Sequence, residues 1–329
     1  MSEILERGAR IEQESRFLRD LIAEVERVVV GQRQLIERLM IGLLTDGHVL
    51  LEGVPGLAKT LVVRSLAQAL DLSYQRIQFT PDLLPSDVTG TQIFNPASGT
   101  FSVREGPVFA NLVLADEINR APAKVQSALL EAMQEREVTI GGETHRLPSP
   151  FFVMATQNPL EQQGTYPLPE AQLDRFLLKV HVDYPKLEDE RRIVEMMGRT
   201  GARTDVRRVT SREQLVHAIK MIDEVYVDER VTAYIVDLVR ATRAPADVGL
   251  DDLAPLIETG ASPRASIALA LASRAHAFMA GRAYVTPQDV KSMAHDVMRH
   301  RILLGYEAEA QEIAVETVIT RVLDNIEVP

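Results

Sequence analysis

Two rhythms of apolar and polar residues run along the first half of the chain. Residues 11–27 and 33–45 carry apolar positions three to four apart and predict two amphipathic helices. His48-Val49-Leu50-Leu51-Glu52 predicts a short buried strand, and the run from Leu61 to Leu70, without Pro or Gly, predicts a helix. Tyr74 to Phe79 alternates like a half-buried strand. Residues 80–109 are rich in Pro, Gly, Asn, Ser and Thr. Apolar bursts at Gln92-Ile93-Phe94 and Thr100-Phe101-Ser102-Val103 predict a small hairpin excursion there. Leu112-Val113-Leu114-Ala115 predicts a fully buried strand ending in Asp116-Glu117. Pro122 stands where it can open a helix that places Val125, Ala128, Leu129, Ala132 and Met133 on one face. Val138 to Ile140, Gly141-Gly142 and Glu143 to Leu147 predict a β-hairpin turning on the two glycines. Phe151 to Thr156 predicts another buried strand. Strands alternating with helices imply an α/β fold with a mostly parallel sheet covered on both faces.

From about residue 187 the strand signals fade. Helical patterns run through 188–198, 211–224, 228–242, 263–279, 287–299 and 309–323, with Ser262-Pro263 and Thr286-Pro287 as capped starts. At 329 residues the chain exceeds the roughly 250–300 at which one core usually splits. The expected division is an α/β domain over 1–186 and a small all-α domain over 187–329. No apolar run approaches the ~18 residues a membrane-spanning helix needs, and Met1 to Arg7 lacks a signal-peptide layout. With no Cys, disulfides and Cys-ligated metal centres are excluded. These features point to the cytoplasm. A formal charge of −11, without a basic stripe interleaved with aromatics, argues against nucleic acid as the main partner.

The chemistry centres on Gly53-Val54-Pro55-Gly56-Leu57-Ala58-Lys59-Thr60, between a strand and the helix beginning near Leu61. Strand, glycine-rich turn and helix are the context of a phosphate-binding loop, where backbone N–H groups and the helix dipole wrap a polyphosphate. Lys59 would reach the β- and γ-phosphates, and the Thr60 hydroxyl would ligate Mg²⁺. Ala58 stands where the generic pattern has its last glycine. It is tolerable there if that residue is already helical. In a parallel sheet the strand C-termini share one edge, so Asp116 would face the same Mg²⁺ and Glu117 could polarise a water. Asn158, following the strand at 151–156, could hold that water or a γ-phosphate oxygen, or be a plain Asn-Pro turn. Arg264 sits in the first turn of a capped helix, where its charge opposes the dipole and suggests an anion partner. Arg175 either meets an anion or pairs with Asp174, and spacing does not decide. A strand-to-helix turn without ligand is the plain alternative for the whole motif.

These pieces, in this order, resemble AAA+ ATPases, specifically the MoxR family. The resemblance covers about residues 24–329. It is carried by Val30-Gly31-Gln32, Gly53 to Thr60, Gly106-Pro107-Val108-Phe109, Leu114 to Pro122, Gln126 to Met133, Ala155 to Pro159 and Gly164 to Phe176. MoxR-like loops often carry Ala where Ala58 stands. The resemblance implies ATP and Mg²⁺ as cofactors, with Gly53, Val54, Pro55, Gly56, Leu57, Ala58, Lys59, Thr60 and Leu61 around the nucleotide and Val30 and Gly31 at adenine. Lys59 and Thr60 match Walker A, Asp116 and Glu117 match Walker B, and Thr60 and Asp116 would hold the metal. Asn158 matches sensor 1, Arg264 looks like sensor 2, and Arg175 resembles an arginine finger reaching the neighbouring subunit. The excursion at 80–109 looks like the helix-2 insert, and the hairpin at 137–147 like the pre-sensor insert. In related motors both face the ring pore. The family forms rings, commonly hexamers, and matures partner proteins or complexes, often with a separate von Willebrand factor A domain chain. The expected activity is ATP hydrolysis driving chaperone-like remodelling of a client protein. The alternatives are a nucleotide-gated interaction module without useful turnover, and a metal-chelatase-type or DNA-associated motor subunit.

Overall fold

The structure, a computed structural model, describes residues 2–54, 56–158, 164–200 and 205–329. Helices α1 (Ser2–Glu26) and α2 (Arg33–Leu44) precede β1 (Val49–Glu52) and α3 (Lys59–Leu70). Then come β2 (Tyr74–Gln78), α4 (Pro85–Thr89), β3 (Gly90–Asn95), β4 (Thr100–Glu105), β5 (Leu112–Asp116) and α5 (Ala123–Glu135). Next are β6 (Glu137–Ile140), β7 (Glu143–Arg146), β8 (Phe152–Gln157), α6 (Glu170–Leu173) and β9 (Leu178–His181). The remainder is α7 (Leu187–Met197), α8 (Arg212–Met221), α9 (Glu229–Ala241), β10 (Ile257–Thr259), α10 (Pro263–Met279), α11 (Pro287–Met298), β11 (Leu303–Leu304), α12 (Tyr306–Ala310) and α13 (Val315–Asn325), with short 3₁₀ turns between.

The central sheet has the order β2-β5-β8-β1-β9. β1 and β5 both pair in parallel with β8, and β2 pairs in parallel with β5 at the edge. The interior strands read as unbroken apolar runs because both faces are covered. Leu50, Val113, Ala115, Val153 and Ala155 share a core with Ile118 and with Val125, Leu129 and Met133 of α5. On the other face α2 comes so close that a Cβ on Gly42 would lie 2.6 Å from Val49 Cγ2. The register sets Glu52 beside Gln157 and Gln78 beside Asp116, so the strand ends form one edge.

The hairpins over 80–109 and 137–147 form as β3–β4 and β6–β7. The second turns on Gly141 and Gly142 at φ +61° and +91°, values glycine takes without steric cost. Several details depart from the sequence reading. Pro122 caps α5 rather than opening it. The pattern at 309–323 breaks into α12 and α13 around Glu312, which has φ +54°. β9 escaped notice because four residues before the helical segment carry little periodic signal.

The chain divides into two compact units. One comprises Asp20–Phe176 with Val180–Val216 and holds the α/β layers. The other comprises the chain up to Arg19, Leu177–Lys179 and His217–Pro329, and is mainly helical. Residues 187–216 belong to the α/β unit, where Arg207 donates its backbone N–H to Glu24. The front of α1 belongs to the helical unit, where Arg10 pairs with Glu224 at 3.4 Å. Sequence distance does not record such returns of the chain. The capped starts at Ser262 and Thr286 form as expected. Each side chain accepts a backbone N–H of its helix, and Thr286 and Asp289 complete a capping box.

Candidate nucleotide site

The loop after β1 is shaped by close approach. A Cβ on Gly53 would lie 2.6 Å from the Val182 carbonyl oxygen, and Gly56 has φ +88°. Both positions require glycine. Pro55 lies outside the described residues. Ala58 is not helical: it has φ 55° and ψ 16°, the left-handed region, before α3 begins at Lys59. The condition under which Ala costs nothing here, a helical backbone, is not met. The left-handed angle puts an L-residue in a conformation costing roughly 1–2 kcal/mol.

Gly53, Gly56, Leu57, Ala58, Lys59, Thr60 and Leu61 line a recess of about 480 Å³ together with Asp116, Glu117 and Asn158. Sheet order thus unites residues from three separate loops. Lys59 donates to the Gly53 carbonyl. Burial pushes its ammonium down, and Asp116, Glu117 and Glu52 push it back up. Asp116 Oδ1 accepts from the buried Thr156 hydroxyl at 2.7 Å, and that hydroxyl accepts the Glu117 N–H at 2.8 Å. Asp116 Oδ2 meets Arg76 at 2.6 Å from Nη2 and 3.1 Å from Nε. Glu117 Oε2 accepts from Gln78 at 2.8 Å and lies 3.2 Å from Arg120. Glu117 is itself at φ 57°, which turns its side chain off the strand direction.

Arg76, Gln78, Thr156 and Arg120 were not singled out from the sequence. A signal existed for two of them. Arg76 and Gln78 are two residues apart on an alternating strand, hence on one face. Only the pairing of β2 with β5 sets that face beside the carboxylates.

Val30 and Gly31 line a second cavity of about 490 Å³ with Val180, Val182 and Tyr184. At φ +74°, Gly31 has Asp189 so close that an added Cβ would lie 2.9 Å from it. Glu52, at the end of β1, is tied to two residues of this second lining. Val182 donates its N–H to the Glu52 carbonyl at 2.8 Å, and His181 Nε2 lies 2.8 Å from the Glu52 carboxylate. Arg175 is not brought to the P-loop recess. It lines a separate hollow of about 430 Å³ with Ser127, Glu131, Glu135 and Gln172, and donates to the Leu130 carbonyl at 3.0 Å. Arg264 opens α10 in the helical unit, where its N–H is taken by Ser262.

Residues 48–178 match the model of the "ATPase family associated with various cellular activities (AAA)", and residues 252–322 match the AAA lid domain. The chain is 52% identical to Chaperone MoxR1 of Mycobacterium tuberculosis over 94% of this chain and 81% of that protein. The chain belongs to the MoxR family of AAA+ ATPases. It is 43% identical to the uncharacterized protein YeaC of Bacillus subtilis over 94% of this chain and 93% of YeaC. A crystal structure of a candidate ATPase from Cytophaga hutchinsonii superposes with a TM-score of 0.92 at 48% identity, covering 100% of this chain and 98% of that one. Membership brings nucleotide binding and an α/β AAA domain followed by a helical lid. Among the described residues, no helix is long and apolar enough to cross a membrane.

Proposed function

We propose that this MoxR-family ATPase hydrolyses Mg·ATP in a ring of identical subunits and spends the energy on remodelling partner proteins. The observation that carries this reading is the gathering of Lys59, Thr60, Asp116, Glu117 and Asn158 around one recess, with Arg175 in a different one. Lys59 and the loop N–H groups bind the phosphates. Glu117 acts as general base toward a water that Asn158 orients. Val30 and Gly31 receive the adenine.

The donor set fits magnesium. Thr60 and Asp116 offer a hydroxyl and a carboxylate oxygen from one recess, the hard donors Mg²⁺ takes when phosphates complete its shell. Bound there, the ion would neutralise charge on the phosphate oxygens. Arg175, set apart from its own loop, serves as a finger for the next subunit, and Arg264 keeps the sensor role that the family resemblance gives it. The name Chaperone MoxR1 of the mycobacterial relative supports a protein client. A separate von Willebrand factor A domain chain as partner, a hexameric ring and a cytoplasmic setting complete the reading.

Mixing two inactive variants tests it. Arg175→Ala should bind ATP nearly normally and lose ~10³–10⁵ in rate. Lys59→Ala should lose nucleotide binding with its fold intact. In mixed rings, some interfaces pair an intact loop with an intact finger. ATPase rate against mixing ratio at fixed total protein, after confirmed subunit exchange, should pass through a maximum. A flat baseline would refute the shared site.

A further inference from the structure

Asp116 is the metal-ligating carboxylate of the proposed site, so what already holds it matters. A carboxylate has about four acceptor positions. Oδ2 uses two on Arg76, from Nη2 at 2.6 Å and Nε at 3.1 Å, and Oδ1 uses one on Thr156. One acceptor position remains, beside a guanidinium that neutralises the charge a divalent cation needs. Two features make the guanidinium displaceable. Its side chain is 45% exposed on the edge strand β2, so it can leave without unpacking the core. Its Nη2 also donates to Gln78 Oε1 at 2.5 Å, so a second acceptor on the same strand keeps it from being stranded.

We propose that Arg76 competes with the divalent cation for Asp116 and thereby raises the cation concentration at which the nucleotide site fills. Arg76 is a positioning residue here. It acts through the Asp116 carboxylate, and this role rests on the metal reading of the preceding subsection. The competition gives the site a threshold: a cation delivered with nucleotide phosphates outbids the guanidinium, and a free cation does so poorly, because phosphate oxygens complete its shell only in the first case.

The test counts bound Mn²⁺ directly by its electron paramagnetic resonance signal, with ADP saturating and Mn²⁺ standing for Mg²⁺, on the full chain. Arg76→Gln should tighten Mn²⁺ binding a few-fold, up to about 5-fold, the scale of a partly exposed ion pair. Arg76→Lys keeps the charge and loses the paired contacts from Nε and Nη2, so it should tighten binding as well, by less. In an Asp116→Asn background the Arg76→Gln effect should vanish. Wild-type affinity in both Arg76 variants overturns the competition and leaves the metal reading standing. Tightening in Arg76→Gln with wild-type affinity in Arg76→Lys also overturns it, since a diffuse field would then suffice. Undiminished Mn²⁺ binding by Asp116→Asn alone removes the metal reading, and the competition with it. Thermal melts of each variant confirm the fold.

Discussion

Asp116 in the α/β unit and Asp289 in the helical unit are each met by an arginine guanidinium and a threonine hydroxyl. Asp289 is only 1% exposed and accepts from His276, from both Arg282 Nη atoms, and from the N–H and hydroxyl of Thr286, all within 2.8 Å. Burial alone would raise its pKa. The hydrogen bonds from His276, Arg282 and Thr286 outweigh that and hold its carboxyl well below the usual carboxylate range. Asp116 is 18% exposed and draws its partners from β2 and β8. It keeps an acceptor position open toward a recess lined by the glycine-rich loop after β1. A saturated, buried carboxylate is a fixed part of the scaffold, because every alternative leaves a charge unpaired in a poor solvent. A carboxylate left partly unsaturated at a sheet edge can exchange partners.

The largest effect that would sharpen this contrast is on rate. Glu117→Gln, one residue beyond Asp116, should bind Mg·ATP and turn over ~10²–10⁴-fold more slowly, the usual contribution of a positioned base. Its melting temperature should stay close to wild type. Single-turnover hydrolysis measures the first and calorimetry the second. Turnover within a factor of a few of wild type would move the base elsewhere.

Next in size, Asp289→Ala should destabilise the protein by about 3–5 kcal/mol, since it leaves Arg282 without its buried counter-charge and His276 without its hydrogen-bond partner. Nucleotide affinity of the folded protein should be unchanged. Urea unfolding gives the loss. A shift under ~1 kcal/mol would mean that Asp289 is no more of a scaffold group than an exposed ion pair.

Acid separates the two units more gently. His48 is buried in the α/β unit, taking the Val153 N–H on Nδ1 at 3.0 Å with Nε2 3.1 Å from the Met133 carbonyl oxygen. Burial, helped by Arg136, lowers its pKa to about 3. The unfolded chain takes up that proton near pH 6.5, so the stability His48 contributes is full above pH 6.5 and falls as pH drops toward 3. The loss should reach about 2 kcal/mol at pH 5. Asp289 works in the same direction over a lower window. Its contribution is full above the ordinary carboxylate pKa, near 4, and is lost only below it. Hydrogen exchange at pH 7 and pH 5 should therefore show the α/β unit loosening first. Equal loosening of both units would break the assignment.

The smallest effect concerns Ala58. Ala58→Gly relieves a left-handed alanine and gains chain entropy in the unfolded state. The net change should be under ~1 kcal/mol, with ADP affinity within a few-fold of wild type. A loss of more than ~2 kcal/mol on thermal unfolding would contradict the strain at this position.

Much of this was legible in the order of residues. The three buried strands carrying Glu52, Asp116 and Gln157 announce themselves as apolar runs, and the capped starts at Ser262 and Thr286 carry their own hydrogen-bonding partners two to three residues on. The Asp289 cluster is almost as local, with Arg282, Thr286 and Asp289 in one turn and helix start. The left-handed angle of Ala58 is not legible from residue type, because a backbone angle is a property of the turn as a whole.

By itself the sequence determined the glycine-rich turn between β1 and α3, the acidic strand end and the alternation of strands and helices. In each, the acting groups are near neighbours whose geometry the backbone fixes over a few residues. Only the tertiary structure decided that Arg76 faces Asp116, that Gln78 reaches Glu117, that Arg175 lies in a hollow apart from the P-loop, and that residues 187–216 belong with the α/β unit. Those pairings depend on strand order and on where the chain returns. Both are settled by burying apolar faces against one another, and no local spacing encodes them.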